Sequence, residues 1–111
     1  MDAAAPFPYE GPEALRAPVA AALAEVIDPE VAMNIVDVGL VYGVVVTDAL
    51  VHVRLTMTSA ACPVADVVID DVQAALDRVV PPTLAIDVEL VWEPPWTPER
   101  LSARARRFMQ W

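Results

Sequence analysis

"VYGVVVTDALVHVRLTMT", residues 41 to 58, is the stretch on which the fold turns. Val41 to Thr47 and Leu50 to Thr58 are crowded with β-branched residues, which suit the pleated, half-buried surface of a sheet. The break at Thr47-Asp48-Ala49 predicts a short turn, so the two runs read as an antiparallel hairpin. In the second arm Val51, Val53, Leu55 and Met57 alternate with His52, Arg54, Thr56 and Thr58. Successive side chains of a strand point to opposite faces, so the first set is expected in the core. Gly39 and Gly43 fit a turn and a bulge respectively.

Upstream, Leu15, Val19, Leu23 and Val26 or Ile27 recur at helical spacing among helix-forming alanines. They predict a helix from Pro12 to Ile27, ended by Asp28-Pro29 because the residue before a proline is pushed out of the helical region. Downstream, Pro63 suits the first position of a second helix, where its missing N–H costs nothing. Val64, Val67, Val68, Val72, Ala75, Leu76 and Val79 trace that helix's apolar stripe, and Pro81-Pro82 stops it. Leu84, Ile86, Val88, Leu90 and Trp92 then alternate as a strand with one buried face. Thr97 and Pro98 are suited to cap and open a last helix running to near Trp111. Residues 1–12, with three prolines and a glycine, read as a mobile leader before a single domain at 13–111.

The predicted order is helix, two-strand hairpin, helix, strand, helix. That pattern implies an α/β two-layer sandwich, with a small mixed sheet and its helices on one face. The last strand follows a helical crossover and is expected to pair in parallel with a hairpin strand.

The chain has 111 residues, 57% hydrophobic and 21% charged, which suits one folded domain rather than disorder. No apolar stretch approaches the ~20 residues of a membrane span. The N-terminus lacks the basic start and apolar block of a secretory signal, so a cytoplasmic location is expected. The net charge is −9 and lysine is absent, which argues against a duplex nucleic-acid partner. Four of the seven arginines crowd the stretch from Arg100 onward, leaving the body still more acidic. With one cysteine and one histidine, an intramolecular disulfide and a self-sufficient metal cluster are both excluded.

The solitary Cys62 stands before Pro63, at or beside the start of the second helix. Unpaired N–H groups and the positive end of the helix dipole favour thiolate over thiol there, lowering a pKa from about 8.5 toward neutrality. A thiolate attacks electrophiles and binds soft metals. The ordinary alternative is a small buried hydrophobe. Thr56, Thr58 and Ser59 add hydroxyls nearby in sequence. A second cluster, Asp28, Glu30, Asn34 and Asp37, follows the first helix. Carboxylates so grouped bind cations or act as acid and base, and more often cap helices and organise turns. Asp37, among apolar neighbours, is expected to accept backbone N–H bonds. His52 reads as a sheet-face histidine. Trp92 and Trp96, bracketing Glu93-Pro94-Pro95, form either a lid at the core's edge or a partner-binding surface.

"VIDPEVAMNIVDVGLVYGVVV", "VRLTMTSAACPV" and "VELVWEPPWTPERLS" together resemble the small domain family linked to iron–sulfur cluster assembly. That family includes SufT-like proteins, the PaaD component of phenylacetate catabolism and the eukaryotic cytosolic iron–sulfur targeting subunit. The likeness spans about Leu15 to Arg104. It implies a compact α/β domain whose signature cysteine is Cys62, and an acidic turn at Asp28, Pro29 and Glu30 followed by the Asn34–Asp37 segment. Ala60-Ala61 stand where the family commonly has proline or glycine. The implied function is a non-catalytic assembly or maturation factor that handles or targets iron–sulfur clusters. Cys62 would then ligate iron or a cluster transiently, with none held tightly. Because a cluster normally takes four protein ligands, a homodimer is implied. The expected partners are assembly proteins or recipient apo-proteins. The alternatives are an adaptor docking recipients through the sheet edge and Trp92 or Trp96, and an accessory maturation protein for a catabolic oxygenase. A Cys62 nucleophile is a further alternative, but it lacks an evident base.

Overall fold

The alternating run forms the hairpin at the heart of a four-stranded sheet. The computed structural model describes residues 7–29, 32–58 and 65–109. Strand β4 (Val41–Val46) and strand β5 (Leu50–Leu55) pair antiparallel, with a register shift between Val41 and Gly43 where the bulge was expected. Thr47 builds the turn: its N–H donates to the Leu50 carbonyl at 2.8 Å and its Oγ1 accepts from the Leu50 N–H at 3.1 Å. Strand β6 (Ala85–Leu90) pairs in parallel with β5, as the crossover requires. Val51, Val53 and Leu55 are fully buried and Met57 nearly so, while Arg54 is exposed.

Two helices cover the inner face. Helix α1 (Glu13–Leu23) buries Val19, Ala22 and Leu23, and helix α3 (Ala65–Asp77) buries Val68, Val72, Ala75 and Leu76. The two pack on each other over the valines of β4 and β5. Removing one such side chain, for example Leu55→Ala, costs about 2–5 kcal/mol.

Three features depart from the sequence reading. First, Tyr9–Glu10, inside the stretch read as a leader, form strand β1, parallel to β4. The Val44 N–H donates to the Pro8 carbonyl at 2.9 Å, and Phe7 is buried. Second, α1 stops at Leu23, before Asp28-Pro29. Its end tightens through Glu25 N–H to Ala22 O and Val26 N–H to Leu23 O, both 3.1 Å. Ile27–Asp28, strand β2, then pair antiparallel with Met33–Asn34, strand β3. That hairpin supplies backbone partners and overrides the helical propensity of the alanine run. Third, Thr97 and Pro98 do not start the last helix. Pro98 opens one 3₁₀ turn, Pro98–Arg100, and Leu101 then turns extended and buries itself. Helix α4 (Ala103–Met109) begins only after Ser102, whose Oγ accepts from the Ala105 N–H at 3.0 Å.

Candidate functional site

The acidic signature resolves into a one-turn device. Asn34 precedes helix α2 (Ile35–Val38) in extended conformation, and its Oδ1 accepts from the Asp37 N–H at 2.9 Å. Its amide nitrogen returns a bond to Asp37 Oδ2 at 2.7 Å. The Asp37 carboxylate therefore takes a side-chain amide, where backbone N–H groups were expected. Arg104 Nε stands 3.9 Å from the same oxygen. Gly39 ends the turn with φ +84°, a conformation open to glycine and strained for other residues.

A strap from the C-terminal part of the chain closes over this device. The Ser102 N–H donates to the Asp37 carbonyl at 2.8 Å. Arg100 lies over the Tyr42 ring at 4.0 Å and donates from Nε to the Gly39 carbonyl at 3.2 Å. Tyr42 in turn donates to the Pro94 carbonyl at 2.5 Å. Trp96 is half-buried and its indole N–H donates to the Val38 carbonyl at 2.8 Å, whereas Trp92 is 41% exposed. Between strap, α2 and the first strand lies a cavity of about 360 Å³. Phe7 and Val36 are on its apolar side, and Asp37, Glu99, Arg100 and Ser102 on its polar side.

The rest of the predicted site falls around this end of the sheet. The Thr56 N–H donates to the Leu40 carbonyl at 2.9 Å, so β5 leaves the sheet beside the exit of α2. Thr56 is buried, and its Oγ1 has no hydrogen-bond partner among the described residues. Thr58 is half-buried. Asp28 is fully buried on β2, opposite Met33, and its carbonyl accepts from the Ala32 N–H at 2.8 Å. Glu30, Ser59, Cys62 and Pro63 lie outside the described residues. The chain leaves the described part at Thr58 and re-enters at Ala65, on α3. Among the described residues no three histidine, cysteine or acidic side chains are grouped to hold a metal ion. His52 takes the sheet-face position expected of it, its ring nitrogens 2.7 Å from Asp87 Oδ2 and 3.0 Å from Glu89 Oε1.

Sequence reading did not find Tyr42, Arg100 and Ser102. The only local signal was the segment bounded by Gly39 and Gly43, whose partners lie some sixty residues away in the chain, as the Arg100 contact shows.

Residues 16–89 match the family described as iron–sulfur cluster assembly protein. The chain belongs to that family. It is 41% identical over 95 residues to the Fe-S protein maturation auxiliary factor YitW of Bacillus subtilis, covering 85% of this chain and 92% of that one. It is 42% identical over 82 residues to the Fe-S protein maturation auxiliary factor SufT of Staphylococcus aureus, covering 73% and 92%. A crystal structure of a domain of unknown function from Bacillus anthracis superposes with a TM-score of 0.82 at 39% identity, over 88% of this chain and 93% of that one. These likenesses fix the mixed sheet with its helices on one side. Among the described residues no helix is long and apolar enough to cross a membrane.

Proposed function

We propose that this chain is an iron–sulfur protein maturation factor without catalytic chemistry of its own, and that Cys62 grips iron or a cluster as cargo in transit. The observation that carries the reading is the match of residues 16–89 to the assembly family, together with the position of the only sulfur-bearing nucleophile in the chain. Cys62 lies in the segment joining β5 to α3, and β5 exits beside α2. A thiolate near the start of α3 is favoured by that helix's positive end, and Asp66 sits in the helix's first turn. The buried Thr56 and half-buried Thr58 precede Cys62 in the chain. Asp28 lies on β2, and Asn34 and Asp37 shape the turn of α2.

One sulfur supplies one ligand, whereas an iron–sulfur cluster takes about four. The remaining ligands then come from a second copy, a small thiol or the recipient itself. Shared ligation suits transfer, since the recipient's cysteines replace the borrowed ones one at a time. The recipients are apo-proteins awaiting clusters, in a cytoplasmic setting.

The test is anaerobic transfer to an apo-ferredoxin whose colour reports the cluster. The wild-type chain should speed colour formation, and Cys62→Ala should lose that acceleration while keeping its fold by circular dichroism. Equal acceleration by Cys62→Ala would overturn the role of the thiol. A second reading, an adaptor that docks recipients, is favoured by the exposed ring of Trp92. Under it Trp92→Ala would reduce recipient capture and Cys62→Ala would not.

A further inference from the structure

The sheet ends at β6, and no strand among the described residues pairs with its outer edge. Ala85 and Val91 donate their N–H groups inward, to Ala49 and Leu55 at 3.0 and 2.8 Å. Backbone groups alternate sides along a strand, so Ile86, Val88 and Leu90 aim their N–H and carbonyl groups outward. Exposed edges are usually blunted by proline, lysine, a bulge or extreme shortness. Here the edge is six residues long, in unbroken register with β5, and carries neither proline nor lysine. Among the described residues no strand covers it, and the charges it carries, Asp87 and Glu89, are both acidic, which deters an acidic partner strand but not a basic one.

On the inner side a groove of about 530 Å³ runs between α3 and β6, lined by Asp70, Gln73 and Asp77 over Ile86. Asp70 and Asp77 form no ion pair among the described residues. On the outer side stand Asp87 and Glu89, bridged by His52, with Arg54 opposite Glu89 in register. We propose that this edge accepts a basic extended peptide segment of a partner protein as a fifth strand. The partner's main chain would bond Ile86, Val88 and Leu90, and its arginines or lysines would face Asp70 and Asp77. A second copy of this chain is the wrong occupant. Two β6 edges paired about a two-fold axis set Asp87 and Glu89 against their own kind, in a chain of net charge −9 with no lysine. The inference stands apart from Cys62 and needs neither iron nor sulfide.

The probe is a peptide of about nine residues alternating arginine and valine, long enough to span the edge. Its control has proline in place of valine, with equal charge but no capacity to form a strand. Amide NMR shifts of the full chain should move along Ile86–Leu90 with the valine peptide, and binding should be at least about tenfold weaker with the proline peptide. Val88→Pro should weaken binding by a similar factor, since it deletes an N–H that serves only the outer edge. The surface pair Asp70→Asn with Asp77→Asn should leave the fold intact, weaken binding about fivefold or more and flatten its salt dependence. Equal binding of both peptides, shifts mapping elsewhere, no binding, or pairing of two copies through β6 would each overturn the proposal.

Discussion

At the scale of single residues the tightest constraint is Gly39. A Cβ added there would lie 2.4 Å from the Arg100 carbonyl oxygen, in a backbone conformation that already disfavours a side chain. Gly39→Ala must therefore push the strap off α2 as well as strain the turn. The expected loss is about 1–3 kcal/mol or more, read as a lowered midpoint in urea. Asn34→Ala removes both bonds to Asp37 and should cost about 1 kcal/mol. Asn34→Asp keeps the acceptor for the Asp37 N–H but sets two carboxylates together, so it should also destabilise, and less so at acidic pH. For Cys62 the relevant measurement is the pH dependence of alkylation by iodoacetamide. A midpoint below the ordinary thiol value of about 8.5 is expected. An unshifted midpoint would remove the thiolate from the proposed chemistry.

At the scale of elements, two attachments to β4 separate this fold from a bare hairpin with helices. One is β1. Arg16 on α1 holds Glu13 through Nη2 to Oε2 at 2.6 Å and lies 4.9 Å from the Tyr9 ring, so it ties α1 to the edge strand. The hydrogen bond from Arg16 keeps the Glu13 carboxyl below its usual range. The Arg16–Glu13 pair is therefore complete above that range and is lost as pH falls through the lowered pKa, while the contact of Arg16 with the Tyr9 ring remains. Arg16→Ala should speed hydrogen exchange at the Val44 amide, which bonds Pro8, and leave the amides of β5 unchanged. The other attachment is the strap. Trp96→Phe keeps the ring, strands the Val38 carbonyl and should cost about 1 kcal/mol. The hairpin, the crossover and both long helices were legible because period-2 and helical patterns are local. β1 and the 3₁₀ turn were not. Phe7-Pro8-Tyr9 carries no alternation, and its strand exists because β4 has a free edge. Thr97-Pro98 has the residues of a helix start, but the burial of Leu101 and the bond from Ser102 to Asp37 bend the chain away first. Of the site, the grouping of Asn34 with Asp37 followed from residues three apart, but the bond between their side chains did not. The contact of Arg100 with Tyr42 did not either, because it joins distant parts of the chain.

For the molecule as a whole, the chain carries a net charge of −9 with one thiol, one histidine and no lysine. Such a chain repels copies of itself at long range, and that repulsion is screened by salt. Shared ligation of a cluster between two copies would have to overcome it. Any cluster-bridged dimer should therefore be favoured by added salt, in light scattering or sedimentation under anaerobic conditions. The most direct measurement is anaerobic reconstitution with ferrous iron and sulfide, followed by visible absorbance in the mixture against a protein-free control. The wild-type chain should acquire the broad visible bands of sulfur-ligated iron, and Cys62→Ala should stay colourless while remaining folded. Absorbance that survives Cys62→Ala undiminished, or a wild-type chain that takes up no iron, would contradict the assignment of Cys62 as the ligand of the cargo.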